Sequence, residues 1–352
     1  MQIMKVVVVD QPPIIPIVDS SLIQGDVRAV IARLPSESVQ CVVTSPPYWG
    51  LRDYGIDGQI GLEPTMAGFI NALTAVFSEV RRILKPDGIL WLNIGDGFTS
   101  GNRGWRAPDK KNPNRAMTVR PDNPAGLKDK DLMGIPWRLA FALQDEGWYL
   151  RSDIIWNKPN AMPESVKDRP TRAHEYLFMF TKSDKYTYHA QRVKEIGGNG
   201  TLRNLRSVWN INTAASVGAH IASFPVALVE PCILASTEET DVVFDPFFGC
   251  GTVGLVARKH NRRYLGIELN PEYVASALSL LGPTRFGLGK IGNHPATHDY
   301  ENQFALHDTP NLCGKSLAAS SKSTPAKGAD PNGKKSRISY PKQTVGRKRT
   351  AI

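Results

Sequence analysis

The feature that most constrains the fold of this chain is a repeated alternation between strand-like apolar runs and helix-like apolar periodicity. The strand-like runs are residues 39–44, 89–94, 148–156, 176–181, 241–244 and 264–267. The helix-like segments are residues 27–34, 69–84, 135–146, 224–236, 252–260 and 271–281. Lys-Pro-Asp-Gly at 85–88 is expected to stop the helix before it. This order favours an α/β fold with a mostly parallel sheet and helices on both faces.

Length and composition narrow the class of protein. With 352 residues the chain has room for one or two domains. No run reaches the ~18 apolar residues of a membrane span, and the first ten residues lack the basic start and cleavage site of a signal peptide. The four cysteines lie far apart without paired spacing, so neither a disulfide framework nor a zinc site is implied. A reducing, cytoplasmic setting is therefore expected.

The net charge of +10 is concentrated in two segments. Residues 309–352 contain ten Lys or Arg and one Asp, and residues 100–131 contain eight basic and four acidic residues. Lys and Arg neutralise phosphates, so either segment suits contact with a polyanion. The Ser-, Lys-, Gly- and Pro-rich composition of residues 289–352 also predicts a disordered tail. Residues 97–131 show no periodicity and are interpreted as a long basic loop.

Residues 44–49 read Thr-Ser-Pro-Pro-Tyr-Trp and directly follow a predicted buried strand. Two prolines end the strand and stiffen the turn, which would be the whole explanation for a lone Pro-Pro pair. Here the turn also presents a hydroxyl at Ser45 and aromatic rings at Tyr48 and Trp49. A fixed hydrogen-bond acceptor beside a flat apolar face suits a planar ligand that carries an amino group.

Residues 245–254 read Asp-Pro-Phe-Phe-Gly-Cys-Gly-Thr-Val-Gly, between a predicted strand and a predicted helix. The glycines allow close approach of the backbone to a ligand. Glu268 follows Asp245 by 23 residues, at the end of the next strand, where an acid can bind ribose hydroxyls. The pattern predicts a nucleoside-containing cofactor. Because Gly249, Gly251 and Gly254 also satisfy G-x-G-x-x-G, a nicotinamide dinucleotide stays open at this point.

Together, the two motifs resemble those of the amino-group DNA methyltransferases, which methylate N4 of cytosine or N6 of adenine from S-adenosylmethionine. The Ser-Pro-Pro-Tyr segment precedes the glycine motif, as in the β-type order of that family. The resemblance covers residues 20–282. It implies a Rossmann-like, S-adenosylmethionine-dependent methyltransferase fold with a circularly permuted motif order. The domains expected are an N-terminal extension (1–19), a catalytic domain (20–288) and the basic tail (289–352).

The resemblance also implies roles for individual residues. The catalytic residues are expected to be Ser45, Pro46, Pro47 and Tyr48, with the Ser45 hydroxyl and Pro46 carbonyl accepting from the target amino group and Tyr48 stacking on the base. The residues implied to bind the cofactor are Asp26, Thr44, His220, Phe224, Asp245, Pro246, Phe247, Gly249, Gly251, Thr252 and Glu268. Ser rather than Asp at position 45 favours cytosine N4 over adenine N6, which remains the alternative.

DNA contacts are expected from basic and aromatic residues around the base pocket, where the target base must be flipped out of the duplex. The candidates are Trp49, Arg103, Arg106, Lys110, Lys111, Lys158, Arg203 and Arg206. The segments 156–159 and 172–176 resemble those that line the target-base side, and 191–213 is a candidate target-recognition segment. Cys232 lies within a predicted helix and is interpreted as a core residue. His174-Glu175 lacks the second histidine of a metal-binding helix, so no metal is expected.

The expected partner is double-stranded DNA and not a membrane, with a cognate restriction endonuclease, if any, as a separate chain and homodimerisation left open. Two alternatives come from other classes. A nicotinamide-dependent oxidoreductase would use the glycine motif and Glu268 but leaves residues 45–49 unexplained. A non-catalytic DNA-binding protein would use only the basic segments.

Overall fold

The computed structural model describes residues 14–17, 19–99, 121–213, 224–282 and 285–287. In chain order the elements are β1 (Ser21–Gln24), α1 (Val27–Ile31), β2 (Val39–Thr44), α2 (Met66–Ile83), β3 (Leu84–Ile94), α3 (Ile135–Asp145), β4 (Tyr149–Asn157), β5 (His174–Thr181), β6 (Glu195–Ile196), β7 (Leu202–Arg203), β8 (Val208–Asn210), α4 (Val226–Ser236), β9 (Val242–Asp245), α5 (Thr252–Lys259), β10 (Arg263–Glu268), α6 (Pro271–Leu281) and β11 (Arg285–Gly287).

Within these segments, nine strands form one sheet in the order β11-β1-β10-β9-β2-β3-β5-β4-β8. The first six strands in this order are parallel to one another. Strand β5 runs antiparallel to β3 and β4, and β8 pairs parallel with β4. The predicted mostly parallel α/β sheet is confirmed, with an antiparallel strand near one end.

The helices lie on both faces because alternate residues of each strand point to opposite sides. In β2, Val42 belongs to the core that includes α1, α2 and α3. Its neighbours Cys41 and Val43 belong to the core that includes α4, α5 and α6. Cys232 of α4 is fully buried in this second core, which confirms its interpretation as a core residue.

The structure adds to the predicted elements at three points. Strand β1, four residues long, was missed, and its pairing with β10 makes it part of the sheet. Residues 85–88 follow the end of α2 at Ile83, which confirms that they stop the helix. Strand β3 starts at Leu84, before the predicted start at residue 89, and residues 85–88 form an irregularity between the pairs Val39–Leu84 and Cys41–Ile89. The short hairpin β6–β7 and strand β8 lie within the candidate recognition segment 191–213.

The sheet brings the residues of both motifs to one edge. Val42 of β2 lies opposite Phe244 of β9, and Asp245 lies opposite Gly266 of β10. The segments that follow these parallel strands therefore emerge side by side, at the edge where open α/β sheets bind ligands. Across the described segments, every helix is too short or too polar to span a lipid bilayer.

Candidate functional site

A cavity of about 980 Å³ opens at this edge of the sheet. Its walls come from the residues after β1, β2, β3, β9 and β10, together with the end of β4 and the start of β5. The Ser-Pro-Pro-Tyr residues line one region and Glu268 another, so the two sequence motifs share a single cavity.

Ser45, Pro46, Pro47 and Tyr48 all line the cavity. The hydroxyl of Tyr48 donates to Oε2 of Glu175 at 2.8 Å and lies 3.5 Å from the Ser45 hydroxyl. Burial and the neighbouring Glu175 carboxylate raise the pKa of Tyr48 well above its ordinary value. Tyr48 therefore stays protonated and can serve as a hydrogen-bond donor.

The wall beside Tyr48 is polar and charged. Lys158 donates to Glu175 Oε1, and its ammonium lies 4.1 Å from the centre of the Trp156 ring. Burial and the nearby Arg172 cation lower the pKa of His174, which favours a neutral imidazole there. This part of the cavity therefore offers hydrogen-bond donors and acceptors beside the flat rings of Tyr48 and Trp156.

The turn after β9 forms another part of the wall. Pro246, Phe247 and Gly249 line the cavity, and Gly249 adopts a left-handed backbone with φ of 54°. Its N–H donates to Oε2 of Glu268 at 2.7 Å, and the Asn270 N–H donates to Oε1 at 2.7 Å. Burial raises the pKa of Glu268, while these backbone donors oppose the rise.

Two residues predicted to contact the cofactor, Gly251 and Thr252, are not among the described residues that line the cavity. Gly251 has a φ of 89°, and a Cβ there would lie 3.1 Å from the Phe248 ring. Phe248 is buried and stacks on Tyr264, with ring centres 5.7 Å apart. A Cβ there would also lie 3.1 Å from Leu281 of α6, so in this structure the second glycine serves the turn itself and the packing of Phe248 and α6 against it.

Thr44 and Asp245, which were also predicted to contact the cofactor, are likewise not among the described residues that line the cavity. Both side chains are buried, and the Thr44 hydroxyl donates to Oδ1 of Asp245 at 2.6 Å. The same oxygen accepts from the Phe247 N–H at 3.0 Å. Burial raises the pKa of Asp245 to about 7, against the opposing effect of the Thr44 donor. The pair ties the end of β2 to the end of β9 from behind the cavity.

The remaining predicted cofactor residues are Asp26, Phe224 and His220. Asp26 and Phe224 line the cavity. Asp26 caps α1 by accepting from the Arg28 N–H at 2.9 Å, and it pairs with the Arg28 guanidinium. His220 lies outside the described residues.

The predicted DNA-contacting residues are placed differently from one another. Trp49 is only 6% exposed, packs in the core beside α2 and donates its indole N–H to the Glu63 carbonyl at 2.8 Å, which corrects its assignment to DNA contact. Lys158 lines the cavity. Arg203 and Arg206 both pair with Glu195 at the β6–β7 hairpin. The four candidates outside the described residues are Arg103, Arg106, Lys110 and Lys111.

Several lining residues had no predicted role. Asn93 and Asp96 lie at the end of β3. Because β3 is parallel to β2 and β9, its carboxyl end could have been expected at the same ligand-binding edge of the sheet. Tyr54 and Tyr273 meet edge to face with ring centres 6.0 Å apart, beside Glu268. Nothing in the sequence links these two tyrosines. No group of three or more His, Cys, Asp or Glu side chains in the described segments could hold a metal ion.

Comparisons with known proteins were consistent with one another. Residues 39–279 match a family model described as DNA methylase, N6_N4_Mtase. The chain is 70% identical over 262 residues to the type II methyltransferase M.XycI of Xanthomonas campestris pv. cyanopsidis, and the match covers 74% of this chain and 87% of that relative.

Two solved structures share the fold. One is the cytosine-N4-specific PvuII DNA methyltransferase, with 22% identity and a TM-score of 0.56 over 75% of this chain and 87% of that one. The other is a Thermus thermophilus protein, described as a DNA modification methylase, in complex with S-adenosyl-L-methionine. It is 26% identical, with a TM-score of 0.55, over 78% of this chain and 100% of that one.

Proposed function

Because this chain belongs to the DNA methylase family, whose model matches residues 39–279, we propose that it methylates the exocyclic N4 nitrogen of cytosine at a specific DNA site. The family, the methyltransferase fold and the cofactor S-adenosylmethionine were predicted from the sequence and are confirmed. The chain is a DNA methyltransferase. The choice of cytosine N4 is our proposal, and the observation that carries it is Ser45 at the cavity wall beside Tyr48.

The residues near Glu268 fit S-adenosylmethionine. The Glu268 oxygens accept backbone N–H groups, among them those of Gly249 and Asn270, and a carboxylate has further lone pairs that can accept from ribose hydroxyls. Phe247 and Tyr273 offer apolar surface to the adenosine, and Asp26 offers a further acceptor. When bound, the cofactor supplies an electrophilic methyl group on a sulfonium.

The residues near Ser45 suit an amino group on a base. The exocyclic nitrogen is a poor nucleophile because its lone pair is delocalised into the ring. Acceptors at the Ser45 hydroxyl and the Pro46 carbonyl would hold its N–H bonds and direct the lone pair towards the methyl donor. Proline fixes the backbone of this turn, so the acceptors need no reorganisation. Most of the rate enhancement would then come from positioning.

Access to the amino group requires the base to leave the duplex, and unstacking costs a few kcal/mol. Stacking on Tyr48 would recover part of this cost. Contacts to DNA from Lys158, Arg203 and Arg206, and from the loop 97–131, remain part of the proposal. So do the domain limits 1–19, 20–288 and 289–352, a cognate restriction endonuclease as a separate chain and a homodimer.

The alternative is N6 of adenine, which the same acceptors could hold. Cytosine is favoured by Ser45, because Ser rather than Asp before the Pro-Pro pair goes more often with cytosine N4 in this family. Family membership argues against the nicotinamide-dependent oxidoreductase and the non-catalytic DNA-binding protein.

The experiment is methylation of DNA by the purified full chain with S-adenosylmethionine, digestion to nucleosides and mass spectrometry. N4-methylcytosine is the expected product. N6-methyladenine without N4-methylcytosine would refute the choice of base, and the absence of both would refute amino methylation. Heat-denatured protein is the matched control.

A further inference from the structure

One carboxylate, Glu175, joins two residues of the cavity wall that come from different parts of the chain. Its Oε2 accepts from the Tyr48 hydroxyl at 2.8 Å, and its Oε1 accepts from the Lys158 ammonium. The Glu175 and Lys158 side chains are only 19% and 16% exposed. Tyr48 follows β2, Lys158 follows β4 and Glu175 lies in β5. The connection therefore crosses three segments of the fold.

The Tyr48 ring is confined at its edge and at its hydroxyl. A Cβ added to Gly95 would lie 2.6 Å from Cε2 of Tyr48, so the ring edge rests directly against the backbone after β3. The hydroxyl is held by Glu175. Rotation of a tyrosine ring about its last torsion is otherwise soft, and it leaves the hydroxyl oxygen in place because that oxygen lies on the rotation axis. The phenolic O–H bond prefers the plane of the ring, so an acceptor on one side of the hydroxyl favours one orientation of that plane, and the contact at Gly95 limits the others.

We propose that Glu175 is a positioning residue for methyl transfer. It fixes the plane of the Tyr48 ring on which the flipped base stacks, and Lys158 holds the Glu175 carboxylate in place. The inference rests on the proposed role of Tyr48 as the stacking face. It requires that Glu175 act through Tyr48 and not through its own contact with the base.

A carboxylate is needed because both of its oxygens accept. A glutamine at this position has one acceptor and one donor group. If its oxygen faced Tyr48, its amide hydrogens would face the Lys158 ammonium. If it were turned the other way, its amide N–H could donate to the tyrosine oxygen while its own oxygen accepted from Lys158. Glu175→Gln therefore replaces the two hydrogen bonds to a charged carboxylate by weaker bonds to a neutral amide in one orientation, and loses the Lys158 side in the other, with almost no change in volume.

The test is a double-mutant cycle in the full chain with Glu175→Gln, Tyr48→Phe and the double variant. Single-turnover methyl transfer to duplex DNA is measured, with all methylated bases counted, together with the dissociation constant for S-adenosylhomocysteine. Loss of a hydrogen bond to a charged group predicts a slowing of about tenfold or more for each single variant. The double variant should be no slower than the slower single variant, since both changes break the same connection. The affinity for S-adenosylhomocysteine should stay unchanged.

The inference would be overturned if the rate of the double variant fell by the product of the two single effects, because the two residues would then act independently. It would also be overturned if Tyr48→Phe were fully active while Glu175→Gln was slow. Loss of S-adenosylhomocysteine affinity in step with the rate would also overturn it, because it would indicate a merely structural role. Glu230→Gln is the matched control. Glu230 pairs with Lys259 and His260, and none of these three residues lines the cavity. This variant should therefore transfer the methyl group at the wild-type rate.

If Glu175→Gln does not fold, Glu175→Asp takes its place in the cycle, because it keeps the charge and withdraws the carboxylate from Tyr48. Failure of the proposed function gives a different result. A product on adenine leaves the cycle intact, since every methylated base is counted. If Tyr48→Ala, which removes the ring, were fully active, the role of Tyr48 itself would be refuted.

Discussion

Replacement of Asp245 by asparagine should change how the stability of the protein depends on pH. Oδ1 of Asp245 accepts from both the Thr44 hydroxyl and the Phe247 N–H. An asparagine can keep both hydrogen bonds with its own Oδ1, so the variant loses the ionisation and little else.

The magnitude follows from the shift in pKa. Burial raises the pKa of Asp245 from 3.8 to about 7. Below the lower value the carboxyl is protonated in both the folded and the unfolded chain. As the pH rises through this window, the unfolded chain releases the proton while the folded chain retains it, so stability is lost until the folded carboxyl ionises as well. At 1.36 kcal/mol per pKa unit, the full loss is about 4 kcal/mol.

The assay is urea unfolding of the wild-type chain and Asp245→Asn at a series of pH values across this window. The free energy of unfolding of the wild-type chain should fall relative to that of the variant by up to about 4 kcal/mol as the pH rises from about 4 to about 7. Groups that do not interact with Asp245 titrate alike in both proteins and cancel in the difference. The neighbouring Glu268 carboxylate raises the pKa of Asp245, so its coupling to Asp245 is part of the measured difference. Parallel curves for the two proteins would refute the reasoning.

Three further outcomes are expected. Gly266→Ala should destabilise the fold by about 1–3 kcal/mol in chemical denaturation, because its Cβ would lie 2.4 Å from the Phe248 ring, whereas Gly198→Ala meets open space and should be neutral. Glu268→Ala should weaken S-adenosylhomocysteine binding by about tenfold or more in calorimetry; unchanged affinity would remove Glu268 from the cofactor site. Deletion of residues 309–352 should lower DNA affinity at low salt and flatten its salt dependence while turnover persists, and an unchanged slope would exclude a DNA role for this segment.

The strands and helices that carry strong apolar patterns could be predicted from the sequence. Strand β2 was predicted at its observed bounds, and α2 to within a few residues, because long apolar runs must be buried. Strand β1 is too short for a periodicity, and its place depends on its pairing with β10. Residues 85–88 contain turn formers and end α2 as predicted, but that Leu84 already pairs with Val39 of β2 depends on a contact that no local pattern shows.

The motifs located the candidate site but could not separate residues on its wall from residues behind it. Thr44 and Gly251 belong to the motifs as fully as Ser45 and Gly249 do. Their side chains or backbones serve Asp245 and Phe248 instead of the cavity, and that depends on contacts between distant segments. The partner of Trp49, the Glu63 carbonyl, is likewise invisible in a motif. The link from Glu175 to Tyr48 spans 127 residues, so no local pattern indicates it.

The pairing of β2 with β9 joins two stretches of chain that are far apart in sequence. Ser45, Tyr48 and Glu175 come from the stretch before residue 213, whereas Phe247 and Glu268 come from the stretch after residue 224. A chain divided between these stretches would carry the proposed base pocket on one polypeptide and most of the proposed cofactor pocket on the other. Neither fragment should be active alone. If each fragment were fused to one of two proteins that bind each other in a cell, that binding would bring the two halves of the site together. The methylated bases would then remain on the DNA as a lasting record of the interaction.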